Sequence, residues 1–71
     1  MTDRELEHLV QMANQIAENF SFHGDRVART ADHIRRFWAP SMRRKLAAHI
    51  TAGGEGIDPT VTEAMKDVSA A

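Results

Sequence analysis

Few residues in this 71-residue chain are of a type that does covalent chemistry. It has no Cys, which excludes a thiol nucleophile, a thiolate metal site, thiol redox chemistry and a stabilising disulfide. His8, His23, His33 and His49 remain as candidate bases or ligands, but no two stand at the i,i+3 or i,i+4 spacing that places ligands on one helix face. His33, beside the Trp, reads first as a packed or capped histidine. No Gly-x-Ser-x-Gly turn presents a nucleophile, and a core this small can hardly enclose a substrate-sized cleft. The expectation is a protein that is not an enzyme, with no catalytic, cofactor-binding or metal-ligating residue.

Two stretches carry other chemistry. The first runs from His33 to Arg43 and gathers Arg35, Arg36, Phe37, the single Trp (Trp38), Pro40 and Met42, with Arg44 and Lys45 extending its basic belt. Aromatic and Arg side chains supply most of the energy at many protein interfaces. The same belt at the start of a helix could instead read DNA, as a helix-turn-helix protein does. A net charge of -1 and a pI near 6.4 give no global field that attracts nucleic acid, and the connection holds Pro rather than Gly. Protein docking is therefore preferred, and a small DNA-binding regulator using Arg35 to Lys45 is the alternative. The second stretch, Gly53-Gly54-Glu55-Gly56, lacks the Lys-Ser/Thr of a phosphate loop and follows a helix rather than a strand. A helix cap with an unusual turn is the first reading. Presentation of its N–H groups to a partner or a cofactor phosphate is the second.

The elements that must position these stretches follow from hydrophobic spacing. Leu6, Leu9, Val10, Ala13, Ile16, Ala17 and Phe20 form one apolar helix face, opened by a Thr2-x-x-Glu5 capping box with the helix starting at Asp3. Met12, Asn14, Gln15 and Asn19 fall off that face, as solvated residues or as contacts to a partner. Gly24 marks a connection in which Phe22 plugs the core. A second helix from Asp25 to about Trp38 carries Val27, Ala28, Ala31, Ile34, Phe37 and Trp38, with Asp25–Arg29 and Asp32–Arg36 as i,i+4 pairs. Small Ala28 and Ala31 allow another helix to approach closely.

Pro40 ends that helix and suits the first position of a third, with Ala39 as a poor cap and Met42, Leu46, Ala47 and Ile50 on its apolar face. Asp58-Pro59 then opens a short fourth helix with Val61, Ala64, Met65 and Val68 inward, ending in a frayed Ser69-Ala70-Ala71. No strand alternation or internal repeat interrupts the pattern. The fold class expected is all-α, a small bundle of three main helices plus a short C-terminal helix, as one domain over residues 1–71. A 42% hydrophobic content fits a globular chain, though one core of this size contributes only about 3–5 kcal/mol of net stability. The first residues lack the basic start and apolar run of a signal peptide, and no stretch is long enough to span a membrane. A cytoplasmic location is expected.

Three blocks in order, "MANQIA" (Met12 to Ala17), "DHIRRFWAPSMR" (Asp32 to Arg43) and "GGEGIDP" (Gly53 to Pro59), are jointly specific, since no generic helix requires all three. With them the chain resembles the delta subunit family of NAD-dependent formate dehydrogenases. Two departures stand out: that family often has Asp where Ala39 stands and Arg where Ser41 stands, which here removes a helix cap and a charged contact. The resemblance implies a non-catalytic accessory subunit of a soluble complex that oxidises formate and reduces NAD+. It also implies that the large subunit is the partner and that this chain supports its assembly, cofactor loading or stability. The parent complex carries molybdenum or tungsten pterin-guanine dinucleotide, iron–sulfur clusters and flavin, none of them on this chain.

The partner-binding residues expected are His33, Arg36, Phe37, Trp38, Pro40, Met42 and Arg43, with Gly53, Gly54 and Gly56 as a lesser set. Phe37 and Trp38 differ by about 100° on a helical wheel, so one faces the core and the other is the better candidate for the partner. Spacing alone does not choose between them.

Overall fold

The computed structural model describes residues 3–69, and over that range the chain is four helices with no strand: α1 (Arg4–Asn19), α2 (Arg26–Phe37), α3 (Pro40–Thr51) and α4 (Pro59–Ser69). The all-α expectation holds. The Thr2 half of the capping box and Ala70-Ala71 of the frayed end lie outside the described residues, while Ser69 is helical. Asp3 is the cap of α1 rather than its first residue, and its carboxylate accepts the Leu6 N–H at 3.0 Å.

Leu9, Ala13, Ile16 and Ala17 of α1 are buried together with Ala31, Ile34 and Trp38, with Leu46 of α3, and with Val61, Ala64, Met65 and Val68 of α4. The most extensive helix pair is α2 with α4. Ala31 and Ala64 are both completely buried, and side chains this small allow two backbones to approach closely. By contrast α2 and α3, although adjacent in sequence, scarcely touch. Pro40 removes the N–H that would continue α2, and Trp38 and Ala39 are extended (ψ 137° and 150°), so the chain turns away at the corner.

Two expectations fail at the α1–α2 connection. Phe22 is not a core plug: it is 98% exposed. The tight turn there donates the Ser21 N–H to the Glu18 carbonyl and the His23 N–H to the Phe20 carbonyl, and it is Phe20 that packs against the core. Ala28 is exposed as well, because the buried stripe of α2 runs through Thr30, Ala31 and Ile34 instead. Among the described residues, no helix is long and apolar enough to cross a membrane.

Candidate functional site

The α2–α3 corner separates its two aromatics. Trp38 donates its N–H to the Ile34 carbonyl at 3.0 Å, the last helical bond of α2, and its ring is buried at 5% exposure. Phe37, one residue earlier, is 71% exposed. A Phe left in water forgoes most of about 1.5–3 kcal/mol of burial energy, so the fold gains little from it where it stands.

Phe37 does not stand alone. Because α2 and α3 diverge, a groove of about 390 Å³ opens between α1 and the corner, walled by Met12, Ile16, His33, Phe37, Trp38 and Met42 and rimmed by His8, Gln11 and Gln15. None of these nine residues is Asp, Glu, Lys or Arg. The His33 ring packs on Phe37 with centroids 4.7 Å apart and faces Phe20 edge-on at 6.4 Å, and Phe20 in turn meets His23 at 5.9 Å. His33 is therefore a packed ring between two aromatics. Such rings prefer tilted and edge-on contacts of this kind. The surface produced is apolar and aromatic, with the Gln11 and Gln15 amides and the His8 imidazole on one rim.

The Gly53-to-Gly56 loop has the opposite character, since its polar groups are engaged by the chain itself. The Gly53 N–H donates to the Ile50 carbonyl and the Gly54 N–H to the His49 carbonyl at 2.9 Å, which together form a Schellman cap on α3. Gly53, Gly54 and Gly56 all take positive φ (133°, 64° and 80°), a region that disfavours any Cβ. Two side chains then fasten the loop from outside. His49 Nε2 lies 2.8 Å from the Glu55 carbonyl, which requires the proton on that nitrogen. Asn14 of α1 donates from Nδ2 to the Gly56 carbonyl at 2.8 Å and accepts the Asp58 N–H on Oδ1 at 2.9 Å. Asp58 caps α4, its Oδ1 accepting the Thr60 N–H at 2.8 Å.

Asn14, expected as a flank amide for solvent or a partner, instead bonds within the chain. The available signal was the joint presence of the "MANQIA" and "GGEGIDP" blocks, whose Asn14 and Gly56 prove to be hydrogen-bonded to each other.

The basic belt does not form one continuous face. Lys45 reaches back to Asp3 at 3.0 Å and Glu5 at 3.5 Å, and Arg36 pairs with Asp32 at 3.1 Å. Arg35 points to α4, where it donates to the Asp67 carbonyl at 3.4 Å. Arg43 is half-buried, and its Nε is buried without a hydrogen-bond partner among the described residues, while Arg44 is exposed.

The pair at Lys45 shows in the titration of its members. The Leu6 N–H and then Lys45 hold the Asp3 carboxyl below its ordinary 3.8, and the Asp3 hydrogen bond pushes Lys45 above its ordinary 10.5. Arg29, 2.8 Å from Asp25, lowers the Asp25 carboxyl in the same way. Among the described residues, no three His, Asp or Glu side chains converge as metal ligands would.

Compared with known proteins, residues 8–65 match the family described as NADH-dependent formate dehydrogenase delta subunit FdsD. The matched range contains both the apolar corner and the fastened loop. No curated protein and no solved structure matches the chain.

Proposed function

Because the chain belongs to the NADH-dependent formate dehydrogenase delta subunit family, we propose that it is a non-catalytic accessory subunit. In this reading it docks through the α2–α3 corner on the large subunit and supports assembly, cofactor loading or stability there. The observation that carries the proposal is Phe37, 71% exposed on the wall of an aromatic groove that no Asp, Glu, Lys or Arg lines. Solvent-exposed apolar surface rimmed by polar groups is the usual mark of a protein contact.

Each expected site residue takes a distinct part in this reading. Phe37, His33 and Met42 make the contact, and Pro40 holds the corner open. Trp38 shapes the groove wall from within the core. Arg36 flanks the contact and meets carboxylates or carbonyls of the partner, whereas Arg43 lines a separate groove beside α4. Gly53, Gly54 and Gly56 act as support, because the loop they form is fastened to α1 and α3. The metal pterin, the iron–sulfur clusters and the flavin reside on other subunits; this chain has no Cys to hold a cluster.

The test is co-expression of a tagged chain with the large subunit, followed by purification and measurement of subunit ratio and bound molybdenum or tungsten. The unaltered chain is expected in stoichiometric ratio. Phe37→Ala is expected to keep its helicity and thermal midpoint and to lose about 10-fold or more in affinity, the loss typical of one interface anchor. Metal content that falls when the chain is omitted indicates cofactor loading; unchanged content restricts the role to stabilisation. Full retention of Phe37→Ala in the complex would falsify the corner as the contact.

A further inference from the structure

The cations of this chain divide into two groups. Arg29, Arg36, Lys45 and Lys66 each have a carboxylate within 3.1 Å. Arg35, Arg43 and Arg44 have none within 4 Å among the described residues, and these three converge on the last turns of α4. Arg35 reaches the Asp67 carbonyl, and Arg43 and Arg44 line a shallow groove of about 200 Å³ with Pro40, Ala47 and Val68. The groove has an apolar floor, since Val68 is buried and Ala47 half-buried, and a guanidinium rim. It lies on the other flank of α3 from the Phe37 groove, which Met42 lines. Arg4 and Arg26, also without an ion pair among the described residues, open α1 and α2 and take no part in it.

Like charges gathered at one place repel one another, and while Arg29, Arg36, Lys45 and Lys66 are each neutralised by a carboxylate, among the described residues these three arginines are not. Carboxylates answer that repulsion, since a planar guanidinium takes a carboxylate through two parallel N–H bonds.

We propose that the groove between α3 and the end of α4 is a second docking surface. It receives an acidic segment of the large subunit, with one apolar side chain on the Val68 floor and carboxylates on Arg35, Arg43 and Arg44. The proposal rests on the accessory-subunit reading for the identity of the partner. A protein carboxylate is favoured over nucleic-acid phosphate by the apolar floor and by the chain's net charge of -1.

The experiment measures the affinity of the full chain for the large subunit at low and at moderate salt. It compares the unaltered chain, the exposed pair Arg35→Gln with Arg44→Gln, and Arg29→Gln as a paired-cation control. Helicity and thermal midpoint are checked for each variant. The unaltered complex is expected to weaken as salt rises. The Arg35/Arg44 variant is expected to bind about 10-fold more weakly at low salt and to lose most of that salt dependence. Arg29→Gln is expected to follow the unaltered chain.

Binding by the Arg35/Arg44 variant that equals the unaltered chain at both salt levels overturns this inference alone. Failure of the unaltered chain to bind the large subunit overturns the accessory reading and this inference together. Tighter binding of the chain to a short DNA duplex than to the large subunit, lost in the same variant, overturns it in favour of nucleic acid.

Discussion

Two junctions lead into Pro-initiated helices in this chain, and they treat their surroundings in opposite ways. At Trp38-Ala39-Pro40 there is no side-chain cap on α3, the adjoining helices diverge, and Phe37 is left in solvent. Between Gly53 and Pro59 the backbone is capped by a Schellman motif, fastened by Asn14 and His49, and closed by the Asp58 cap of α4. Both stretches look like recognition motifs in the sequence. The fold accounts for the second, because each special residue there satisfies a partner within the chain. It accounts only for half of the first: Trp38 is consumed by the core, and Phe37 is left over. Surface that the fold does not need is where a partner is best sought.

The sharpest way to break that contrast is at Trp38. Trp38→Ala is expected to cost about 3–5 kcal/mol, as large-to-small changes of aromatic core residues do. That equals what a core of this size contributes in total. Circular dichroism should therefore show a largely unfolded chain. A folded Trp38→Ala that only loses binding would mean that the Trp belongs to the interface and not to the core.

Asn14→Ala tests the other junction. It leaves the Gly56 carbonyl and the Asp58 N–H without partners, so a loss of about 1–2 kcal/mol in urea unfolding is expected, with faster hydrogen exchange at Asp58. Affinity for the large subunit should be kept under conditions where the variant is folded.

Gly54→Ala is a smaller disturbance. A Cβ there meets Ile50 Cα at an ordinary 3.6 Å, so the cost is the left-handed backbone alone, about 1 kcal/mol. A shift in unfolding midpoint with no change in assembly is the expected result. Intact stability with lost assembly would move the loop from support to contact.

The smallest effect is at the α1–α3 tie. Asp3 has its pKa lowered in the fold, so its contribution to stability is present above its ordinary 3.8 and is lost as pH falls through the lower folded value. Lys45 is raised, so its contribution is present below 10.5 and is lost as pH climbs through the higher folded value. Asp3→Asn should flatten the acid limb of a stability profile and leave docking at neutral pH unchanged. Exposed pairs of this kind contribute little.

Much of the framework was legible because it is local. The three- and four-residue spacing of Leu9, Ala13, Ile16 and Ala17 and the quartet Val61, Ala64, Met65 and Val68 are buried as that spacing requires. Asp25–Arg29 and Asp32–Arg36 meet because a helix places i and i+4 together. Phe22 was misread because an isolated aromatic in a turn has no periodic neighbours to say which way it faces. Asn14 was misread because its partners lie 42 and 44 residues away in the chain.

The sequence by itself determined four helices, the capping Asp58, the break at Pro40 and the glycine turn after α3. Each of these is set by bonds and clashes among residues a few positions apart. Only the tertiary structure decided that α2 pairs with α4, that Trp38 and not Phe37 enters the core, and that Asn14 fastens the glycine loop. It also divided the basic belt between internal ion pairs and arginines that have no carboxylate partner among the described residues. Those outcomes depend on which helix faces cover one another, and a face is chosen by the packing of the whole core at once.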